Sequence, residues 1–169
     1  VADPLVREYE ERDRAACRAL WAQLTQWHRD LYDDQSIGGD DPAGWFDRYL
    51  EEKHPVAVWV AEVTGRVVGF TGALPLEGGT RYELEPIVVD SELRGQGVGA
   101  TLARAVIDRA RADGMRGVEV RPAARNSAAI RFFHDHGFDV LGQLELVLDL
   151  AKPERWRRGE RLAGRDFRF

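Results

Sequence analysis

The residues best suited to chemistry are Arg94-Gly95-Gln96-Gly97-Val98-Gly99, with Ala100 next. Glycines at alternate positions remove the Cβ obstruction, so the backbone can turn tightly and bring its N–H groups close to a ligand. A helix predicted directly afterwards adds orphan amides and the positive end of a helix dipole. Together they read as a phosphate cradle. The plainer reading of the same residues is a glycine-rich turn that only starts a helix. A P-loop ends in Gly-Lys-Ser/Thr, and Val98-Gly99-Ala100 supplies neither lysine nor hydroxyl. The dinucleotide fingerprint GxGxxA is formally met by Gly95 to Ala100. Its context differs, because Asp90 to Arg94 separate it from the strand before and several strands come earlier. The third ligand that fits is the pyrophosphate of coenzyme A.

The other reactive residue types form no constellation. His134 and His136 stand two apart on a predicted helix and so point to different faces, which argues against a metal pair. His28 and His54 stand alone, and the single Cys17 can form neither an internal disulfide nor a cysteine zinc site, so no metal is expected. Trp21, Trp27, Trp45 and Trp59 read first as packing residues.

Those residues need elements to hold them. A short strand is predicted over Leu5–Tyr9. Ala16, Leu20, Leu24 and Trp27 recur at helical spacing within Arg12–Arg29. Pro42 suits the first turn of a second helix running to Lys53. Val56–Val63 and Arg66–Leu74 are β-rich and joined across Thr64-Gly65, a hairpin signal. A strand over Tyr82–Val89, a helix over Gly97–Ala112 and a strand over Gly117–Arg121 make a unit long enough for a right-handed βαβ crossover. A helix over Ser127–His136 and a long strand over Phe138–Leu150 follow. The fold class expected is α/β: a mixed sheet, antiparallel at its start and parallel in its middle, with helices on both faces. Residues 1–150 read as one domain and 151–169 as a basic extension.

Composition bounds the partners. The chain has 169 residues, 44% hydrophobic and 31% charged, enough for a core and a solvated surface. A net charge of -5 argues against a general nucleic-acid binder. A mean hydropathy of -0.41 without a long apolar stretch argues against a membrane span. With its charged start and its lone cysteine, the chain reads as cytoplasmic. The charge is uneven: Asp30, Asp33, Asp34, Asp40, Asp41, Asp47, Glu51 and Glu52 are acidic neighbours, and the residues after Lys152 are mainly basic. Solvated faces are the ordinary reading of both runs.

From Glu83 to Asp149 the chain resembles the GNAT acetyltransferase superfamily. Arg94, Gly97 and Gly99 match its Arg/Gln-x-x-Gly-x-Gly/Ala signature. Asn126 matches the Asn that opens the next helix, with Ala129, Ile130, Phe132 and Gly137-Phe138 at the usual spacings. The resemblance implies an acetyl-CoA-dependent N-acetyltransferase. The coenzyme pyrophosphate would lie on Arg94, Gly95, Gln96, Gly97, Val98, Gly99 and Ala100. The pantetheine arm would lie between splayed parallel strands near Ile87, Val88 and Val89 on one side and Val118–Arg121 on the other. Pro86, lacking an N–H, suits an irregular part of that strand.

The implied reaction is direct attack of an amine on the thioester, which needs a proton acceptor and an oxyanion donor. The donor implied is the backbone N–H of Val89 or Val88. For the base, Glu85 and Glu83 are the candidates, Glu85 slightly preferred. At period two they share a face with Ile87 and Val89 unless a bulge near Pro86 changes the phase. Asn126 would cap its helix and also contact the coenzyme. Many family members have a tyrosine seven residues after that Asn, which protonates the departing thiolate. Here the position is Phe133, in the coenzyme site but without a proton to give; a water or His134 could substitute. The acceptor pocket implied lies within Trp27–Glu52, with Trp27, Tyr32, Asp33 and Asp34 as substrate residues. Its acidity favours a small cationic amine, such as a polyamine, aminoglycoside or amino-acid-like compound. A protein or peptide amine is the alternative within the enzyme class. A coenzyme A sensor with weak catalysis is the alternative outside it. The basic tail could meet the coenzyme's 3′-phosphate, cover a sheet edge or join a second subunit, which leaves a homodimer open.

Overall fold

The computed structural model describes residues 3–150 and 156–169. They form two compact units, divided between Val120 and Arg121.

The first unit contains β1 (Leu5–Glu8), α1 (Arg14–Tyr32), α2 (Trp45–Lys53), β2 (Ala57–Val63), β3 (Arg66–Pro75), β4 (Arg81–Val89), α3 (Val98–Ala112) and β5 (Gly117–Glu119). The strands make one sheet in sequential order, with antiparallel pairs from β1 to β4 and a parallel β4–β5 pair across α3. The mixed α/β architecture is the one the sequence predicts. Thr64 and Gly65 both take positive φ between β2 and β3, the twist that a two-residue hairpin needs.

Directly opposed residues in an antiparallel pair share a face, so the register assigns the two sides of the sheet. Val58, Val60, Phe70, Leu74 and Val88 face α1 and α2, where they meet Cys17, Leu20, Phe46 and Tyr49 in the main core. Phe46 and Phe70, both fully buried, meet edge to face with ring centroids 5.3 Å apart, and Trp21 stacks on Phe70 at 5.9 Å. Burying rings of this size is a major source of core stability. Gly69 lies on the opposite face, where the side chains of Val98 and Leu102 of α3 approach it.

Two helices differ in their limits from the sequence reading. The first helix begins after a 3-10 turn at Glu11–Asp13 and runs on to Tyr32, ended by Asp33 in the left-handed conformation. The second begins at Trp45, not Pro42; Asp41 instead accepts the Gly44 N–H at 3.0 Å ahead of it. The strand expected over Gly117–Arg121 is shorter, since only Arg81–Glu83 of β4 offers it a ladder.

The second unit holds α4 (Ser127–Asp135) and a hairpin of β6 (Arg158–Leu162) and β7 (Arg165–Arg168). The predicted strand over Phe138–Leu150 is corrected: among the described residues this stretch joins no ladder. Its alternating apolar residues satisfy the local pattern, yet a strand requires a partner. Without one Val140 and Leu148 stand 88% and 84% exposed. The expected basic extension carries the β6–β7 hairpin, while Lys152 lies outside the described residues.

Candidate active site

The glycine-rich loop joins β4 to α3. Asp90 opens it, accepting the Glu92 N–H at 3.1 Å and pairing with Arg66 at 3.1 Å. Gln23 of α1 accepts the Ser91 N–H at 3.3 Å. Gly95 and Gly97 take φ of 75° and 85°, and a Cβ at either would meet nothing within 4 Å. Glycine is needed there for the left-handed backbone, and the space beside it is open. The first i→i−4 bond of α3 runs from Thr101 N–H to the Gly97 carbonyl at 3.2 Å. The N–H groups of Val98, Gly99 and Ala100 therefore have no acceptor within the helix. They point out of its N-terminus beside an exposed Arg94, a donor set suited to a diphosphate.

Strand β4 changes phase just before this loop. Thr71 opposes Ile87 and Ala73 opposes Leu84, so two steps on β3 span three on β4. The additional residue is a bulge at Glu85–Pro86, opposite Gly72; the peptide bond there is cis. The bulge removes the shared face expected for the two glutamates with Ile87 and Val89. Glu83 opposes Leu74 and lies with Val88 on the α1–α2 side, whereas Ile87 and Val89 oppose Thr71 and Gly69 on the α3 side. Glu83 is buried, and Glu85 is half-buried within the bulge.

The same ladder orients the main chain. Asp90 N–H donates to the Val68 carbonyl at 2.8 Å. Antiparallel bonds alternate, so Val88 and Asp90 turn their N–H groups toward β3 and Val89 turns its own toward the β5 side. There β5 covers only Arg81–Glu83, and among the described residues no strand pairs with Ile87–Val89 on that edge. That stretch of β4 therefore has no strand ladder on the β5 side among the described residues. Of the two oxyanion donors the sequence left open, Val89 has its N–H turned away from the ladder.

Two aromatic contacts were invisible in the sequence. The Arg94 guanidinium sits 4.8 Å from the Trp27 ring centroid, and Arg94 Nε donates to the Val89 carbonyl at 3.4 Å. Trp27 thereby joins α1 to the glycine loop. Arg48 covers Trp45 in the same way at 4.8 Å, while Trp21 and Trp59 pack within the unit.

The acidic region divides into two sets. Asp47 is bound by Arg14 at 2.8 Å and by Arg18, and Arg18 lies 3.8 Å from Asp41. These carboxylates join α1 to α2. Tyr32 ends α1, Asp33 follows it, and Asp34 accepts the Ser36 N–H at 2.9 Å. The connection they begin encloses an open hollow of about 580 Å³ lined by Arg29, Ser36 and Asp40 among others.

In the second unit Asn126 caps α4, its Oδ1 accepting the Ala129 N–H at 3.0 Å. Phe133 is buried against Phe132 and Phe138, with centroids 5.2 and 5.4 Å away. His134 is exposed beside Asp135, and His136 Nδ1 lies 2.6 Å from the Phe132 carbonyl. No cluster of His, Cys, Asp and Glu among the described residues could hold a metal ion. No helix among them is long and apolar enough to cross a membrane.

A left-handed glycine loop feeding a helix, beside a bulged strand whose β5 ladder stops at Glu83, is the arrangement of a GNAT domain. The family model for the Acetyltransferase (GNAT) family matches residues 13–138, and the chain belongs to that family. It is similar to the L-methionine sulfoximine/L-methionine sulfone acetyltransferase of Pseudomonas aeruginosa, 30% identical over 61% of this chain and 61% of that protein. It is also similar to human N-acetyltransferase 8, at 36% identity over 56% of this chain and 43% of that one. The chain thus spans less than two thirds of these curated relatives. Among solved structures, the ribosomal-protein-alanine N-acetyltransferase from Brucella melitensis superposes with a TM-score of 0.62 at 27% identity, over 79% of this chain and 83% of that one.

Proposed function

We propose that the chain transfers an acetyl group from acetyl-CoA to a primary amine by direct attack, the acceptor being a small cationic compound. The observation that carries this reading is one continuous strand–loop–helix passage. It combines an edge N–H at Val89 turned off the ladder with Val98, Gly99 and Ala100 amides that have no helical acceptor. The donor set fits a diphosphate, with Arg94, Gly95, Gln96 and Gly97 completing the loop around it. The Ile87–Val89 edge fits the amide-bearing pantetheine arm. Bound acetyl-CoA supplies an activated thioester carbonyl.

The protein's part is then proton management and charge stabilisation. An ammonium has no lone pair, so the acceptor must lose a proton before attack. Glu85, half-buried in the bulge four residues before Val89 and next to Pro86, is the base we assign, acting directly or through a water. Glu83 sits deeper on the α1–α2 side, where its role is to favour the cation. Val89 N–H stabilises the oxyanion. With Phe133 at the position where many members of the family carry a tyrosine, the thiolate departs without a side-chain acid. A thiol with a pKa near ~8.5 departs readily enough for that.

For the acceptor, Trp27, Tyr32, Asp33 and Asp34 are the residues proposed. Asp47 is already bound by Arg14 and Arg18, so the cation attraction we propose rests on the connection after α1, where Asp33 and Asp34 lie. The amino-acid-like substrates named for the Pseudomonas relative support a small acceptor. The test is a panel of cationic and neutral amines, and a peptide amine, with acetyl-CoA and assay of free thiol. Faster release with small cations is expected, and equal rates with neutral amines would remove the charge argument. A second reading, a coenzyme A sensor, rests on Phe133. Tight binding by calorimetry with no turnover across the panel would favour it.

A further inference from the structure

The bulge in β4 is held by two buried hydroxyls from outside the strand. Tyr49 of α2, 4% exposed, donates to the Glu85 carbonyl at 2.7 Å. Thr71 of β3, fully buried, donates to the Pro86 carbonyl at 2.8 Å. These are successive carbonyls at the bulge, where the register of the β3–β4 ladder shifts. Thr71 and Tyr49 reach them from opposite faces of the sheet. Gly72 makes the arrangement possible: a Cβ there would overlap the Tyr49 hydroxyl and lie 3.0 Å from the Glu85 carbonyl. A glycine in a central strand marks such a close approach. Burial, reinforced by the Glu85 charge, raises the Tyr49 phenol well above its ordinary range, so it remains a donor.

We propose that Tyr49 and Thr71 are positioning residues for acyl transfer, their hydroxyls clamping the Glu85–Pro86 bulge. The clamp sets where the Glu85 carboxylate and the Val89 N–H stand relative to each other. Three residues separate those groups along one strand, and the bulge between them determines their mutual direction. Without the clamp the carbonyls of Glu85 and Pro86 lose buried partners, and the strand gains an alternative: pairing without a bulge. That slip either turns the Glu85 side chain to the other face of the sheet or turns the Val89 N–H into the ladder. Neither hydroxyl touches the acceptor or the coenzyme in this scheme. The diphosphate loop lies beyond Asp90, which is fixed independently by Val68 and Arg66. The clamp therefore acts on the rate of the reaction far more than on coenzyme binding, which keeps its diphosphate loop and loses only alignment along the Ile87–Val89 edge. This rests on the acyl-transfer reading above.

The variants are Tyr49→Phe and Thr71→Val, with Thr71→Ser as the conservative rescue. Tyr82→Phe is the control, because it removes a hydroxyl bond from the same strand outside the bulge, to Asp113 at 2.7 Å. A misplacement on the scale of an ångström costs ~10²-fold in rate, so kcat is expected to fall ~10- to 100-fold in both clamp variants. The dissociation constant for coenzyme A stays within about twofold, and Thr71→Ser and Tyr82→Phe keep most of kcat. Amide exchange at Val88 is read in the same proteins and is expected to speed up about tenfold in the clamp variants alone. Folded clamp variants with undiminished kcat overturn the proposal. So does a fall in coenzyme affinity that matches the fall in rate. Should Tyr49→Phe fail to fold, Thr71→Val with its serine rescue decides. If the parent protein turns over no amine at all, the acyl-transfer reading fails by itself. Val88 exchange then decides the clamp, unchanged protection refuting it.

Discussion

Glu85 and Phe133 concentrate the chemical expectations at the scale of single residues. With Glu85 as base, Glu85→Gln should lower kcat/KM by ~10²-fold or more while calorimetry returns an unaltered coenzyme affinity. A variant with the parent rate would move the proton transfer elsewhere. Phe133→Tyr tests the missing acid. Because the thiolate is a good leaving group, the gain in kcat should not exceed ~10²-fold. Its new hydroxyl enters a cluster with Phe132 and Phe138, so a modest loss of thermal stability should accompany the change. Cys17 illustrates a reactive type made inert. It is fully buried, and burial pushes its thiol up to about 12, so it packs and does not react.

At the scale of elements, β4 and the loop after it divide the work. In the proposed function the loop grips the coenzyme through main-chain N–H groups, which every substitution but proline leaves in place, so its vulnerability is backbone conformation. At Gly97, φ of 85° places any L-residue in the left-handed region, which costs roughly 1–2 kcal/mol. Gly97→Ala should weaken coenzyme binding, read by calorimetry, about tenfold or more if the loop relaxes to avoid that cost. Since the space beside Gly97 is open, the protein itself should still fold. Unchanged affinity would mean the loop is not the grip. Much of this passage was legible beforehand: the glycine spacing, the helix behind it and Pro86 as a point of irregularity. What β4 does with its phase was not, because the bulge is defined only against the residues of β3 opposite it.

At the scale of the whole molecule, one ion-pair group ties the chain's start to its sheet. Arg7 on β1 binds Asp13 at 2.7 Å and Glu62 of β2 at 3.1 Å, and Asp13 also accepts the Glu10 N–H at 2.9 Å. The Arg7 bonds, with help from the Glu10 amide, hold the Asp13 carboxyl below its ordinary value despite burial. A carboxyl with a depressed folded pKa binds fewer protons folded than unfolded. Its stabilisation is thus complete above about pH 4 and fades as pH falls through the folded value. Asp13→Asn should cost about 3 kcal/mol at neutral pH, since it leaves Arg7 short of its buried partner. The deficit in denaturant midpoint should shrink below about pH 4, and a deficit independent of pH would deny the ionic cause.

What short stretches of backbone can do was readable from the residues alone. Gly95 and Gly97 need no distant partner to take positive φ, Asn126 caps the helix that begins beside it, and periodicity placed α1, α3 and α4. Those properties belong to residues within a turn or two of each other. Tertiary structure decided everything that depends on a neighbour far along the chain. It turned Glu83 away from the face of Val89, brought Trp27 onto Arg94, neutralised Asp47 with Arg14 and Arg18, and left the apolar alternation over 138–150 without a ladder. A side chain's face and charge environment follow from pairing, and pairing is an agreement between segments that neither of them encodes alone.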